Sequence, residues 1–132
     1  MRLLYVEDNR INALLFEEAL KLQQGFELRV AEDGAQALQI VGEWLPEVLV
    51  LDSHLPDITG AELLARLRAL PALAQAPAFM CSADAQPEDL QQATAAGFAG
   101  YWTKPISIEA VLDDLRRVRS SPPSSPSPSS PR

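Results

Sequence analysis

The chain has 132 residues, a mass of 14.4 kDa and a formal net charge of −7, which fits one domain with a substantial core. The acidic balance argues against nucleic acid as a direct partner, because such binding depends on Lys and Arg neutralising phosphates. The single cysteine excludes a disulfide scaffold and a cysteine-based zinc site. The sequence has no apolar run of membrane-spanning length and no signal-peptide pattern, so it predicts a soluble, cytoplasmic protein without a membrane partner.

Five short apolar runs alternate with segments of helical periodicity along the chain. This alternation predicts βαβ units and an α/β fold, in which a five-stranded parallel sheet has helices on both faces. The first, third and fourth runs are almost continuously apolar, which is typical of strands buried on both faces. The predicted strands are residues 3–6, 26–30, 48–51, 78–81 and 99–102.

Three of the helical segments carry a clear apolar stripe, and each stripe is expected to face the core. The fourth helix, around residues 90–96, is rich in alanine and only weakly periodic. Ser107 is a candidate N-cap for the fifth helix. The stripes are Ile11, Leu14, Leu15 and Leu22 in the first helix, Leu63, Leu64, Leu67 and Leu70 in the third, and Ile108, Val111, Leu112, Leu115 and Val118 in the fifth.

The last 13 residues differ in composition from the rest of the chain, since they contain 7 Ser, 5 Pro and one Arg. Such a segment cannot bury enough apolar surface to form a core. We therefore predict a disordered tail over residues 120–132 and a folded domain over residues 1–119.

Polar side chains follow four of the five predicted strands. Glu7 and Asp8 come after the first, Asp52 ends the third, Ser82 follows the fourth and Lys104 follows the fifth. Right-handed crossovers place the C-terminal ends of parallel strands at one edge of the sheet, where ligands of such sheets bind. Three carboxylates, a hydroxyl and an ammonium are therefore predicted to share one cleft.

This set of side chains suits phosphoryl chemistry around a hard cation. Clustered carboxylates repel one another, and Mg²⁺, which prefers oxygen ligands, relieves that repulsion. Lys104 and Ser82 can bind phosphoryl oxygens, and an ionised aspartate can itself become an aspartyl phosphate. Phosphoryl transfer mainly requires positioning and charge neutralisation, and both are available here.

Four motifs stand in order along the chain, each after a predicted strand. They are Leu4-Tyr5-Val6-Glu7-Asp8-Asn9, Val50-Leu51-Asp52-Ser53-His54-Leu55-Pro56-Asp57 with Gly60, Ser82-Ala83, and Gly100-Tyr101-Trp102-Thr103-Lys104-Pro105. With them, the chain resembles the receiver domain of bacterial two-component response regulators, a family that includes chemotaxis regulators and the receivers of hybrid histidine kinases. The resemblance implies a flavodoxin-like (βα)5 fold with strand order 2-1-3-4-5.

The resemblance also implies how a cation and a phosphoryl group would be held. Asp52 would accept the phosphoryl group and would share Mg²⁺ with Asp8, the main ligand. Glu7 would assist through a water molecule, and the backbone carbonyl of His54 would be a further ligand. Glu7 is often Asp in this family, so its longer side chain is a departure.

A second part of the resemblance concerns the response to phosphorylation. Ser82, often Thr in the family, and Lys104 would hold the phosphoryl oxygens. Tyr101 would be the switch residue, turning inward as Ser82 moves and changing the face formed by the fourth helix, fifth strand and fifth helix. That face would then contact a downstream protein or a second copy of the chain.

The resulting expectation is a phosphoacceptor switch whose donor is a histidine kinase or a histidine phosphotransfer protein. The chain has no GxxxxGK[ST] loop and no GxGxxG fingerprint, so it is not expected to bind nucleotide or act as a kinase. We expect no enzymatic turnover beyond loss of its own phosphoryl group.

Three alternatives stay open at this point. The domain could signal by binding alone, without phosphorylation. It could also store phosphate as the relay receiver of a hybrid histidine kinase, because the segment Leu4 to Asn9, followed by Asn12, resembles that subgroup. It could also be a magnesium-dependent phosphatase with an aspartyl nucleophile. That class would require a second aspartate at position 54, where this chain has histidine.

Overall fold

The computed structural model describes residues 1–83 and 86–120, without the side chains of residues 119 and 120. The strands are β1 (Arg2–Val6), β2 (Glu27–Ala31), β3 (Val48–Asp52), β4 (Ala78–Ser82) and β5 (Gly100–Thr103). The α-helices are α1 (Arg10–Lys21), α2 (Gly34–Val41), α3 (Gly60–Arg68), α4 (Pro87–Ala96) and α5 (Ile108–Ser120). The predicted tail over residues 120–132 lies outside the described residues from position 121 onward.

The strands form one parallel sheet in the order β2-β1-β3-β4-β5, so the predicted flavodoxin-like (βα)5 fold is confirmed. β2 and β5 each begin and end one residue later than predicted. The ladder between β1 and β2 starts with the pair Arg2 and Glu27, which leaves Phe26 just before the strand.

Helices cover both faces of the sheet, with α2, α3 and α4 on one face and α1 and α5 on the other. Every residue of β3 and β4 is buried, which confirms that these apolar runs are strands enclosed on both sides. None of the described helices has the length and apolar character needed to cross a membrane. The strand residues include Leu4, Val6, Leu49, Leu51 and Met80 on the first face, and Leu3, Tyr5, Val50, Phe79 and Trp102 on the second.

Helix α1 turns a different face to the core from the predicted one. Ala13, Phe16 and Leu20 are buried instead, and the Phe16 ring packs against the Tyr5 ring with 4.5 Å between the ring centroids. The helix carries two apolar stripes. The stripe that contains the aromatic Phe16 and the small Ala13 fits closely on the sheet, so it is the buried one. The residues wrongly predicted as core are Ile11, Leu14, Leu15 and Leu22, which are 70%, 56%, 64% and 84% exposed.

The stripes of α3 and α5 are largely as predicted. Leu63, Leu64 and Leu67 are fully buried, but Leu70 is 39% exposed because α3 ends at Arg68. In α5 the central residues Val111, Leu112 and Leu115 are buried, and Ile108 and Val118 pack against them. The Ser107 hydroxyl accepts a hydrogen bond from the Ala110 N–H at 3.3 Å, as expected of an N-cap.

Local contacts hold the loops at the C-terminal edge of the sheet. Asn9 caps α1 by accepting a hydrogen bond from the Asn12 N–H at 3.0 Å. Gly60 begins α3 directly against β3, where an added Cβ would lie 2.4 Å from the Asp52 carbonyl oxygen. The missing side chain therefore allows α3 to start right beside the end of the central strand.

Candidate functional site

The predicted polar side chains lie together at the C-terminal edge of the sheet. Asp52 is the last residue of β3, which is flanked by β1 and β4, and Glu7 directly follows β1. Lys104 follows β5, and its backbone N–H donates a hydrogen bond to the Ser82 carbonyl at 2.8 Å. The parallel topology thus brings together residues that are far apart in the sequence.

Lys104 joins two of the carboxylates. Its Nζ lies 2.9 Å from Asp52 Oδ2 and 2.9 Å from Glu7 Oε1, and both carboxylates are buried. Burial alone would lower the pKa of Lys104, but the hydrogen bonds to Asp52 and Glu7 outweigh burial and raise it. The ammonium is therefore held in its charged form between the two acidic groups.

Glu7 is fixed by more contacts than the sequence indicated. The Tyr5 hydroxyl donates to its Oε1 at 3.0 Å, and the Asn9 N–H donates to its Oε2 at 3.2 Å. Burial raises the pKa of the Glu7 carboxyl, against the effect of the Lys104 hydrogen bond. Burial also raises the pKa of Tyr5, which keeps its hydroxyl as a donor. Sequence reasoning missed Tyr5, although a tyrosine two residues before a strand-end glutamate shares its side of the sheet.

The carboxylates form a donor set suited to a divalent cation. Glu7, Asp8 and Asp52 each offer an oxygen, and these oxygens lie within 4.8 Å of one another. Hard cations such as Mg²⁺ prefer oxygen ligands, and the exposed Asp8 leaves the cluster open to solvent. The residues therefore fit the predicted ion.

The loop after β3 adds contacts to Asp52. The His54 N–H donates to Asp52 Oδ1 at 3.3 Å, while the His54 side chain is exposed. This contact helps to fix the carboxylate that Lys104 holds through its other oxygen. The assignment of the His54 carbonyl as a metal ligand stays a prediction.

A second group of side chains lies on the α3 and α4 side of the site. The Ser53 hydroxyl donates to the Ser82 hydroxyl oxygen at 3.0 Å, and Ser82 is buried. Both residues line a cavity of about 210 Å³, together with His54, Gln92 and the half-buried Tyr101. Sequence reasoning identified Ser82 and Tyr101 but missed Ser53, because only the strand register shows that the two serines meet.

The model of the response regulator receiver domain matches residues 3–116. The chain belongs to this family. Receiver domains of two-component systems generally act as switches, bind Mg²⁺ at an acidic pocket and interact with histidine kinases or phosphotransfer proteins.

Individual relatives extend over most of this receiver domain. The chain is 36% identical to an uncharacterized 14.6-kDa protein of Leptolyngbya boryana, over 80% of each sequence. It is 28% identical to the polar-differentiation response regulator DivK of Brucella anthropi, over 84% of this chain and 89% of DivK. The structure of the chemotaxis response regulator CheY4 of Vibrio cholerae superposes with a TM-score of 0.81 at 28% identity, covering 89% of this chain and 97% of CheY4.

Proposed function

We propose that this receiver domain accepts a phosphoryl group onto Asp52 from the phosphohistidine of a histidine kinase or histidine phosphotransfer protein. The observation that carries the proposal is the buried Asp52 carboxylate, held 2.9 Å from the Lys104 ammonium beside two further carboxylates. In the step itself, an Asp52 oxygen forms a bond to phosphorus as the phosphorus–nitrogen bond to histidine breaks, and the imidazole keeps that electron pair.

Each neighbouring group has a part in this step. Lys104 neutralises charge on the phosphoryl oxygens, and Ser82 donates a hydrogen bond to one of them. Asp8 and Asp52 would hold Mg²⁺ directly, with Glu7 acting through a water and the His54 carbonyl as a further ligand. The bound ion supplies the remaining charge neutralisation.

The exposed stripe of α1 supports a docking site for the phosphoryl donor. Leu15 lines a groove between α1 and the loop that carries Lys104, with Phe16, Pro105 and Ile108 as neighbours. Exposed apolar residues in a contiguous patch mark interaction sites, and Ile11 and Leu14 extend this one along the helix. A protein that brings phosphohistidine to Asp52 has to approach this edge, so docking here places its histidine within reach.

The proposed output is a change in the face formed by α4, β5 and α5, which would contact a downstream protein or a second copy of the chain. Tyr101 of β5 lines the cavity beside Ser82. The next residue, Trp102, stacks on Phe79 at 4.7 Å between ring centroids and donates to Asp114 of α5 at 2.7 Å. Ser82 and Tyr101 line one cavity, and the adjacent Trp102 joins β5 to α5, which supports α5 as part of the surface that responds.

Incubation with acetyl phosphate and Mg²⁺ tests the phosphoacceptor. Intact-mass analysis should show one added phosphoryl group, which EDTA prevents and Asp52→Asn abolishes. Asp113→Asn is the matched control, because this exposed aspartate on α5 lies outside the site. Labelling that persists in Asp52→Asn would contradict the proposal, and the absence of any labelling would favour a module that signals by binding alone. Steady turnover of a phosphate ester would indicate a phosphatase instead.

We further propose that residues 1–119 carry this function in the cytoplasm, where ATP-derived phosphoryl groups are available, and that residues 120–132 are dispensable for it. Deleting residues 120–132 should leave the labelling rate and the melting temperature nearly unchanged, because Val118 is the last apolar residue of α5. A large fall in either quantity would mean that this segment docks on the domain.

A further inference from the structure

The ends of β3 and β4 place two serines directly opposite each other. Asp52 pairs with Cys81 in the parallel register, and the Ser53 N–H donates to the Cys81 carbonyl at 2.9 Å. Ser53 therefore lies opposite Ser82, the next residue of β4, and their hydroxyl oxygens are 3.0 Å apart. The contact joins the residue after the phosphoacceptor to the residue that is to bind the phosphoryl group.

The two serines lie on the side of the sheet away from Lys104. Side chains alternate along a strand, and Cys81 belongs to the α1 and α5 face while Met80 belongs to the α2, α3 and α4 face. By this alternation Ser53 and Ser82 share the face covered by α2, α3 and α4, and they line the same cavity as Tyr101. In this contact Ser82 is the acceptor, and Asp52 belongs to the opposite, α1 and α5 face, so the Ser82 oxygen has to move away from Ser53 when its hydroxyl donates to a phosphoryl group on Asp52.

We propose that Ser53 is a positioning residue that holds Ser82 in its unphosphorylated orientation, an inference that rests on the proposed role of Ser82. When the phosphoryl group arrives, the Ser82 hydroxyl donates to a phosphoryl oxygen and its bond with Ser53 is lost. A neutral hydrogen bond changes such an equilibrium by about 2- to 12-fold. A charge-assisted bond is about twice as strong, so the phosphorylated state favours the bond from Ser82 to the phosphoryl group. The strength of the Ser53 contact then sets the equilibrium constant between the two orientations of Ser82.

Titration with beryllofluoride and Mg²⁺, followed by amide chemical shifts of residues 86–118, tests this role. Ser53→Ala removes the hydroxyl with little change in volume and should bind beryllofluoride about 2- to 12-fold more tightly than wild type. Ser53→Thr keeps a hydroxyl and should bind like wild type. In a Ser82→Ala background, Ser53→Ala should have no further effect, because the hydrogen bond is already absent.

The outcomes separate this inference from the proposed function. Unchanged or weaker binding by Ser53→Ala, or equal tightening by Ser53→Thr, would overturn the role of Ser53 while wild-type binding upheld the phosphoacceptor site. Tightening that persists in the Ser82→Ala background would also overturn it, since the effect would not pass through Ser82. A wild-type protein that bound no beryllofluoride would overturn both proposals.

Discussion

The carboxylates beside Lys104 and the hydroxyls of Ser53 and Ser82 lie at neighbouring strand ends, yet they are held by different forces. On the carboxylate side, Lys104 bridges two buried acidic groups at 2.9 Å each, and Glu7 accepts further hydrogen bonds from Tyr5 and a backbone amide. On the hydroxyl side, a neutral hydrogen bond of 3.0 Å lies beside a cavity.

This difference matches what each side has to do in a switch. Groups that hold a cation and a phosphoryl group need fixed positions, and charge-assisted bonds supply that rigidity. A group that reports the arrival of the phosphoryl group has to move, and one neutral bond can be exchanged for a stronger one.

Replacing Lys104 should disturb the carboxylate side most. Lys104→Met leaves Glu7 and Asp52 buried without their cation, and the free energy of unfolding should fall by about 3 kcal/mol in the absence of Mg²⁺. Acetyl phosphate labelling should also be strongly reduced. Urea unfolding with and without Mg²⁺ measures the first effect, and Lys104→Arg, which keeps the charge, is the control. A free energy of unfolding equal to that of wild type would contradict the claim that Lys104 holds the two buried carboxylates in place.

Mg²⁺ should stabilise the protein, because the proposed site would bind it in the native state only. At a concentration 100 times its dissociation constant, the expected gain is about 2.7 kcal/mol. Asp8→Asn should abolish the rise in melting temperature more completely than Glu7→Gln, since Glu7 is already engaged by Lys104, Tyr5 and Asn9. Equal losses in the two variants would contradict the ranking of these ligands.

Ser82→Ala should separate the two sides. The variant keeps Asp52 and Lys104, so acetyl phosphate should still label it, but the response of β5 to beryllofluoride should fall by about 10-fold in its equilibrium constant. Trp102 fluorescence in a Trp44→Phe background measures that response. Loss of labelling comparable to that in Asp52→Asn would place Ser82 on the carboxylate side instead.

The apolar stripe of α1 adjoins only the carboxylate side, so a charge there should affect transfer from a protein donor alone. Leu15→Glu should slow transfer from a phosphohistidine protein by about 10-fold or more, since an unpaired charge is costly to bury in an apolar contact. Labelling by acetyl phosphate should be unchanged. Leu22→Glu, at the far end of the stripe, is the matched control. Equal slowing with both donors would mean that Leu15 acts on the site itself.

Asp57 offers a smaller test with a carboxylate that binds backbone amides. It accepts hydrogen bonds from the N–H groups of Gly34 and Ala35 at 3.0 Å each, and the first of these chiefly lowers its pKa. Its contribution to the free energy of unfolding is therefore fully present above the ordinary pKa of an aspartate and is lost as the pH falls through the lowered pKa. Asp57→Asn should lower the melting temperature by about 2 °C at pH 7, and the difference should vanish in acid. A difference that is independent of pH would exclude this titration as its cause.

The sequence predicted the sheet well because its signals were local. Alternating apolar runs identified all five strands, and polar residues after those strands identified the candidate site. The face of α1 was predicted wrongly because two apolar stripes compete on one helix, and the choice depends on how Phe16 fits against Tyr5. Ser53 was missed as a site residue because its contact with Ser82 depends on the register between β3 and β4. Tyr5 was missed although its spacing from Glu7 puts both side chains on one side of the sheet.

The alternation of Tyr101 and Trp102 on β5 has a mechanical consequence. The Tyr101 ring lies beside the cavity near α4, and the Trp102 ring is hydrogen-bonded to α5. The two residues are nevertheless neighbours in a strand of four residues. Any displacement of this short strand moves both rings at once, on opposite faces of the sheet. Helices α4 and α5 would then move together, and a protein that binds both of them would encounter one concerted displacement rather than two separate ones.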